Sequence, residues 1–376
     1  MQVAIIGAGI GGLTTALALQ KAGIEVIVYE AAPAIKSVGA GIILAINALQ
    51  VMRQLGLYEQ IAQQGNRMDT MTIAKADFSP LTIVPLTRFS KQFGLQNYAI
   101  HRADLHALLA GAIGYEHICL NKRLKAIGRS GHGYALQFED DSLVEAPFVI
   151  AADGIHSTIR QQLFAENRIR SAEQVCWRGL VAFSLPEHYR QDALEAWGKG
   201  IRFGMAAIGK GIVYWYLVVD AALDQPGIPL TDFVKDFHPL ASSIIEASPK
   251  EKIFKSLLTD LLPVQEWNKE RICLLGDAAH ATTPNLGQGA CQAIEDAYVL
   301  GELAKKYPLE EVFHLYPQIR RAKAHTIVRR SWTLGKAAHL TNPVAIGIRN
   351  AVFKYLTPSF IMMRQLSQLF SLDKVE

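Results

Sequence analysis

The sequence is poor in cysteine and in long apolar runs, and both shortages narrow its class. Its 376 residues include four cysteines, none in a Cys-x-x-Cys pair, so neither a zinc site nor a dithiol centre is predicted. No run of about 18 uninterrupted apolar residues occurs, so no membrane-spanning helix is expected. The apolar N-terminal stretch lacks the basic leader of a signal peptide. These absences predict a cytoplasmic protein that binds no metal.

An excess of charge of one sign is also missing. The chain has 38 Lys and Arg against 34 Asp and Glu, a net charge of +4, and contains no basic run. A nucleic-acid partner is therefore not expected, because such partners select clustered basic residues. Half of the residues are hydrophobic, which allows a large core, and the chain length favours two domains.

What is present begins with a glycine-rich loop between a predicted strand at 2–6 and a predicted helix. The loop contains Gly7, Gly9, Gly11 and Gly12. In this spacing the first glycine permits a tight turn, the second lets the backbone approach a pyrophosphate, and the last lets helix and strand pack closely. A second predicted strand, 25–29, ends at Glu30, where an acid can accept hydrogen bonds from ribose hydroxyls. The acid favours FAD or NAD over NADP at this site.

A second stretch begins where a predicted buried strand, 148–152, ends at Asp153-Gly154. Ser157 and Arg160 follow near the start of a predicted helix. From the residues alone this is an Asp-Gly turn with a capping serine. Upstream, residues 133–140 and 143–150 predict a hairpin around Asp140-Asp141.

The third stretch is another strand, loop and helix. Residues 271–275 predict a short buried strand, and Gly276-Asp277 turns the chain. A loop with Pro284 and two glycines then leads into a predicted helix at 289–303. Its N-terminus offers backbone N–H groups and a positive dipole end, which suits an anionic or electron-rich ligand group.

The composition changes between residues 171 and 269. Three predicted strands rich in aromatic and β-branched residues, 175–183, 201–208 and 212–219, indicate an antiparallel sheet. Its Arg202, Tyr214 and Tyr216 either face a ligand or are core aromatics with a solvated arginine.

Taken in order, the three motifs resemble those of the FAD-dependent single-component aromatic hydroxylases, which share the para-hydroxybenzoate hydroxylase fold. The similarity extends over nearly the whole chain, and the sheet around 197–216 resembles the branch that contains FAD-dependent urate hydroxylase and zeaxanthin epoxidase. The resemblance implies an α/β fold with a Rossmann-type FAD-binding domain, an inserted antiparallel-sheet substrate domain and C-terminal helices. The expected bounds are 1–72, 98–170 and 270–335 for the FAD-binding domain, 73–97 and 171–269 for the substrate domain, and 336–376 for the helical segment.

The resemblance also assigns residue roles. Asp277 would contact FAD near its ribityl chain, Asp153 would contact FAD with support from Arg160, and residues 39–42 would lie beside the isoalloxazine. Arg202 and Tyr214 match positions that hold a polar substrate. The cofactor-binding residues implied are Gly7, Gly9, Gly11, Gly12, Glu30, Ala31, Arg102, Leu124, Asp153, Asp277, Pro284, Gly287, Gln288, Gly289 and Ala290.

The activity implied is oxygenation. NADH or NADPH binds transiently and reduces FAD, dioxygen forms a flavin hydroperoxide, and one oxygen hydroxylates or epoxidises a small aromatic or conjugated substrate. Two alternatives stay open, namely a flavin-binding protein without turnover and an NAD-dependent dehydrogenase that uses only the first motif. The apolar segment 342–370 predicts a helix packed on the body, a homodimer contact or a peripheral membrane contact.

Overall fold

The computed structural model describes residues 2–35, 40–131, 133–356 and 359–375. The strands are β1 (Gln2–Ile6), β2 (Glu25–Tyr29), β3 (Gly41–Leu44), β4 (Asn66–Met68), β5 (Thr70–Lys75), β6 (Pro80–Pro85), β7 (Asn97–His101), β8 (Ile118–Cys119), β9 (Leu124–Ser130), β10 (Gly133–Phe138), β11 (Leu143–Ala146), β12 (Phe148–Ala151), β13 (Ile169–Ala182), β14 (Asp192–Trp197), β15 (Ile201–Ala207), β16 (Ile212–Asp220), β17 (Ile253–Leu261), β18 (Asn268–Lys269) and β19 (Ile272–Leu274). The α-helices are α1 (Ile10–Lys21), α2 (Ile46–Leu55), α3 (Tyr58–Gln64), α4 (Thr87–Phe93), α5 (Arg102–Ile113), α6 (Thr158–Leu163), α7 (Leu230–Phe233), α8 (Pro239–Glu246), α9 (Asp277–His280), α10 (Gly289–Ala304), α11 (Leu309–Ala338), α12 (Pro343–Ala351) and α13 (Ser359–Phe370).

The first layer is a six-stranded sheet in the order β18-β19-β12-β1-β2-β8. All of its pairs are parallel except β18 with β19. Its central strands are almost wholly apolar and buried, as expected when helices cover a parallel sheet. Helix α1 packs against α5 and α10. The predicted Rossmann-type unit is thus present, and β1 and β2 have the predicted bounds.

The second layer is a seven-stranded sheet in the order β17-β13-β16-β15-β14-β5-β6. It is antiparallel except for the β14–β5 pair, and it contains the three strands predicted within 171–269. The side chains of Phe203 and Trp215 point to one face, in a core shared with Ile244 of α8. The expected domain limits at 72/73 and 170/171 fall within strands β5 and β13.

One strand prediction was wrong. Residues 143–150 do not form a single hairpin strand, because the chain changes sheets at Pro147. Strand β11 pairs with β10 around the predicted turn, whereas β12 pairs with β1 in the parallel sheet. Proline has no backbone N–H to donate to a ladder, so it separates the two strands.

The C-terminal part is helical, as expected. Helix α11 is continuous through a buried Pro317, and residues 352–356 form a turn of π-helix after α12. The chain end is docked, since Gln50 Nε2 donates to the carbonyl oxygen of Phe370 at 2.8 Å. Across the described ranges, no helix combines the length and apolar character needed to cross a bilayer.

Candidate active site

The first glycine loop lies between β1 and α1, and crowding explains two of its glycines. A Cβ on Gly7 would come 2.4 Å from the carbonyl oxygen of Ala152, and one on Gly12 would come 2.0 Å from that of Gly7. Gly7 also has φ of 104°. By contrast, a Cβ on Gly9 would meet no atom within 4 Å. The loop is therefore closely packed on the protein side and open on the side where a pyrophosphate would approach.

Glu30 is fixed at this loop by backbone donors. Its Oε2 accepts a hydrogen bond from Ala8 N at 2.7 Å, and its Oε1 accepts one from Ala32 N at 2.8 Å. Each carboxylate oxygen has a second lone pair, which leaves capacity for a ribose hydroxyl. The backbone of Lys122 pairs with that of Glu30, so the segment leading to the buried Leu124 lies beside the acid.

Helix α5 adds a histidine that the sequence motifs did not reveal. His106 Nε2 contacts the carbonyl oxygen of Ala8 in the glycine loop, and its Nδ1 has no partner within the described ranges. Arg102 is exposed at the start of the same helix, and its backbone N donates to Ala40 O at 2.9 Å. Arg102 therefore lies beside the start of β3, where the resemblance expects the flavin ring. Gly39 is outside the described residues.

The second motif ends β12 next to the glycine loop. Burial raises the pKa of Asp153, although Ser157 and backbone N–H groups partly oppose this. Asp153 Oδ2 accepts a weak hydrogen bond from Ile159 N at 3.3 Å, while its buried Oδ1 has no partner among the described residues. Ser157 Oγ accepts from Arg160 N at 3.0 Å, which confirms a capping role. Asp153 thus keeps an unused acceptor inside the site.

Arg160 joins the second motif to the third. It is fully buried, and its Nη1 donates to the carbonyl oxygen of Ala278 in α9 at 2.7 Å. Its Nε donates to Asn167 Oδ1 at 3.1 Å. These hydrogen bonds hold the turn after Asp153 in place.

The third motif places an exposed acid above a buried ion network. Gly276 has φ of 58° and begins helix α9, and the side chain of Asp277 is exposed. Asp296 Oδ2 accepts from Gly276 N at 3.1 Å and lies 2.6 Å from His280 Nε2. His280 is buried and bonded to Asp296, which gives it a structural role.

The loop that follows presents its backbone outward. Gly287 has φ of 62° and is exposed, as is Pro284, and α10 begins at Gly289 with Ala290 in its first turn. The side chain of Gln288 turns inward, where its Oε1 accepts from Asn47 Nδ2 at 3.0 Å. The N–H groups of the first turn of α10 have no side-chain cap. The geometry therefore fits the predicted role of this loop's amides.

Arg320 neutralises the buried acids beneath this loop. It was not among the residues predicted from the sequence. Its Nε donates to Asp296 Oδ1 at 2.8 Å and its Nη1 to Glu295 Oε2 at 3.0 Å, with all three side chains buried. Burial would lower the pKa of Arg320, but the neighbouring carboxylates raise it above its usual value. The acidic pair at 295–296 was a usable signal, because buried acids require a cation.

Tyr214 and Arg178 lie on the sheet face that meets the FAD-binding layer. A Cβ on Gly41 would come 2.6 Å from Tyr214 Cβ, so the tyrosine packs directly against β3. Arg178 lies beside the Tyr214 side chain, and its Nη1 donates to Ser256 Oγ at 2.7 Å. Burial raises the pKa of Tyr214, so its hydroxyl stays protonated at neutral pH. Arg178 was not among the predicted residues.

Arg202 occupies the same face but is already engaged. Its Nη1 donates to Asn285 Oδ1 at 2.7 Å and its Nη2 to Gln174 Oε1 at 3.2 Å. Its buried Nε has no partner in the described part of the chain. Nearby, the Tyr216 hydroxyl donates to Glu195. The arginine therefore connects the sheet to the loop at 284–287.

No group of three or more His, Cys, Asp or Glu residues within the described ranges could hold a metal ion. The thiols of Cys273 and Cys291 are fully buried, and burial raises the pKa of Cys291 to about 12. FAD, by contrast, fits the residues present. The open side of Gly9, the unused Asp153 oxygen and the uncapped start of α10 lie at the ends of three different strand–loop units.

Comparison with known proteins gives the same assignment. A family profile described as "FAD binding domain" matches residues 1–331. The aurachin C monooxygenase/isomerase of Stigmatella aurantiaca is 32% identical over 365 residues, covering 95% of this chain and 94% of that protein. The 2-heptyl-3-hydroxy-4(1H)-quinolone synthase of Pseudomonas aeruginosa is 30% identical and covers 99% and 98%.

Among solved structures, Klebsiella pneumoniae HpxO complexed with FAD and uric acid superposes with a TM-score of 0.89 at 25% identity, covering 98% of this chain and 96% of that one. The match spans all three motifs and the substrate sheet, so an NAD-dependent dehydrogenase built on the first motif alone is excluded, and the relatives are enzymes with turnover. The chain therefore belongs to the FAD-binding family of flavin monooxygenases, which use NAD(P)H and dioxygen to oxygenate aromatic and heterocyclic rings.

Proposed function

We propose that the substrate is a nitrogen heteroaromatic ring that carries a carbonyl or hydroxyl oxygen, such as a 4-quinolone. Two comparisons support this class: the Pseudomonas relative is a hydroxy-quinolone synthase, and HpxO was solved with uric acid. Both names describe oxygen-bearing nitrogen rings. The proposal is narrower than the aromatic class that the sequence motifs imply.

The pairing of Arg178 with Tyr214 is the observation that carries this proposal. A guanidinium and a protonated phenol side by side both donate hydrogen bonds, so together they suit an oxygen with partial or full negative charge. Tyr214 lies against Gly41, on the side where the cofactor ring is expected, and Arg178 lies beside Tyr214. A ring anchored there by its oxygen would present a neighbouring carbon to the cofactor.

The cofactor contacts follow from the three loops. The N–H groups at Gly9 would hold the pyrophosphate, Glu30 the ribose, Asp277 the ribityl chain, and the amides at 287–290 the pyrimidine edge. FAD supplies the redox and oxygen chemistry when bound. The chain's own residues orient the ring and exclude water, and the positive end of α10 stabilises negative charge on the ligand beside it.

Arg202 and Tyr214 remain our proposed substrate-site residues. Tyr214 would contact the substrate directly. Arg202 would hold Asn285, and through it the loop at 284–287, while its unpartnered Nε offers one donor to the site. Because Arg202 belongs to the sheet and is bonded to the loop, it would keep substrate and cofactor at a fixed separation.

The remaining proposals concern organisation. We place the FAD-binding domain at 1–72, 98–170 and 270–335, the substrate domain at 73–97 and 171–269, and the protein in the cytoplasm. Either NADH or NADPH would be the transient reductant. Residues 342–370 would form a contact surface, either for a second copy of the chain or for a membrane.

A substrate screen tests the proposal. The FAD-loaded protein would be mixed with NADH or NADPH and with 4-quinolones, hydroxypyridines, urate, phenols or hydroxybenzoates. We expect an oxygen-bearing nitrogen ring to stimulate oxidation of the reductant and to gain one oxygen by mass. Reductant oxidation that yields only hydrogen peroxide does not count as turnover. Hydroxylation of phenols or hydroxybenzoates alone would overturn the proposed substrate class.

A further inference from the structure

An apolar stripe runs along the solvent side of α12 and the π-helical turn that follows it. Five large apolar side chains recur at intervals of three or four residues, which places them on one side of a helix. They are between 38% and 73% exposed: Val344, Ile348, Val352, Tyr355 and Leu356. Contiguous exposed apolar residues of this kind mark an interaction site in a water-soluble protein.

Helix α12 turns its cation toward the protein. Arg349 is buried, donates from Nη1 to the carbonyl oxygen of Ala338 at 3.0 Å, and lies 5.0 Å from the ring of Trp197. Phe353 also packs on Trp197, with ring centroids 4.9 Å apart. A surface helix in water normally buries its apolar side and exposes its charged side. Helix α12 has the reverse arrangement. The inner contacts hold the helix in place and leave its apolar side facing solvent.

The stretch of sequence that contains this segment has charge of a single sign. Residues 312–372 contain nine Lys and Arg and no Asp or Glu, so the rest of the chain has 29 basic against 34 acidic residues. Five of the nine cations have exposed side chains: Arg329, Arg330, Lys336, Lys354 and Arg364. Cations that flank an apolar stripe complement a surface that is apolar inside and anionic outside.

An apolar groove lies next to this segment, between α11 and the loop at 284–287. It has a volume of about 430 Å³ and is bounded by Phe353, Leu334 and Ala337, with Arg329 and Arg330 also contributing. Leu286, in the loop that precedes α10, also lines it. The groove therefore lies between the segment that carries the stripe and the proposed cofactor loop.

We propose that the segment 343–356 docks on an anionic lipid surface. The stripe would enter the acyl boundary while the flanking Lys and Arg side chains contact lipid phosphates. A second copy of the chain suits this surface less well. A two-fold contact would set its cations against the same cations of the partner, with no acid between 312 and 372 to pair them.

Vesicle co-sedimentation of the full-length, FAD-loaded protein tests the proposal. We expect binding to vesicles of phosphatidylcholine mixed with phosphatidylglycerol, and much weaker binding to phosphatidylcholine alone or at high salt. The double variant Ile348→Glu, Tyr355→Glu should lower the partition coefficient at least about tenfold. Leu143→Glu is the matched control, because Leu143 is 64% exposed on β11, in a different sheet. It should bind vesicles as the wild type does.

A charge-removal variant and a measurement of oligomeric state complete the test. Lys354→Gln combined with Arg330→Gln should reduce binding to anionic vesicles without altering flavin absorbance or thermal unfolding. Equal binding by the wild type and both double variants would overturn the proposal. A dimer by light scattering that Ile348→Glu, Tyr355→Glu disperses, without vesicle binding by the wild type, would also overturn it in favour of self-association.

Discussion

Arg320 Nε donates to Asp296 Oδ1 at 2.8 Å, and both side chains are completely buried. The other oxygen of Asp296 accepts from Gly276 N and contacts His280. Arg320 also contacts Asp373 near the chain end. One ion pair therefore links the turn before Asp277, helix α11 and the C-terminal residues.

Arg320→Gln should destabilise the protein by about 3–5 kcal/mol, because it leaves buried carboxylates without their cation. Urea unfolding monitored by circular dichroism measures the change. The control Arg67→Gln breaks an exposed pair with Asp69, whose loss should cost no more than about 1 kcal/mol. A loss of the same size in both variants would contradict the central role of Arg320.

The same pair predicts a pH dependence. Burial raises the pKa of Asp296, but His280 and Arg320 outweigh it and lower the pKa to about 2, from an ordinary value of 3.8. A carboxyl whose pKa is lower in the folded state stabilises the fold above the unfolded pKa. That contribution is lost as the pH falls through the folded pKa.

The stability difference between wild type and Arg320→Gln should therefore narrow by up to about 2 kcal/mol as the pH falls from about 6 to about 2. Groups that do not contact Arg320 contribute equally to both proteins and cancel. These include His325 and His339, whose pKa values burial lowers to about 4. Urea unfolding at several pH values measures the difference. A stability difference that stays constant with pH would show that the lowered pKa of Asp296 does not depend on Arg320.

The strand bounds and the helix start that were predicted correctly depend on residues that are adjacent in the sequence. The bounds of β1 and β2 follow from apolar runs that end at glycine or at an acid, and the start of α10 follows from Gly289. The missed residues depend on long-range pairing. Arg320 lies 24 positions beyond Asp296, and the position of Arg178 beside Tyr214 follows from the pairing of β13 with β16. Periodicity within one strand cannot give a register between strands.

Substitutions in the glycine loop should separate folding from cofactor binding. Gly12→Ala would place a methyl group 2.0 Å from a carbonyl oxygen, so it should lower the melting temperature of the FAD-free protein and weaken FAD binding. Gly9→Ala meets no atom within 4 Å and has φ of −68°, so it should leave that melting temperature unchanged. It should still lower FAD affinity, because the methyl group occupies the approach to the loop.

Flavin fluorescence titration and thermal unfolding measure the two effects separately. Gly111→Ala is the control, since this glycine lies in α5 and its Cβ would also meet no atom within 4 Å. It should leave FAD affinity unchanged. Unchanged affinity in Gly9→Ala would argue against a pyrophosphate at this loop.

Asp277→Ala should weaken FAD binding about tenfold or more, because an exposed carboxylate would no longer accept hydrogen bonds from the ribityl hydroxyls. Its exposure predicts a change of at most about 0.5 kcal/mol in the stability of the FAD-free protein. Asp232→Ala is a matched control, since Asp232 is an exposed acid in another four-residue helix, α7. Normal flavin retention by Asp277→Ala would remove the ribityl assignment.

Arg178→Gln should raise KM for the oxygen-bearing substrate about tenfold or more and change kcat less, because a charged hydrogen bond to the bound ring is lost. Steady-state kinetics with product detected by mass measures both constants. Lys255→Gln is the control: Lys255 pairs across the strands with Trp177, so it points to the opposite face of the sheet from Arg178. Its KM should match that of the wild type. An unchanged KM in Arg178→Gln would assign Arg178 to the support of Tyr214 and Ser256, and the substrate oxygen would then need another donor.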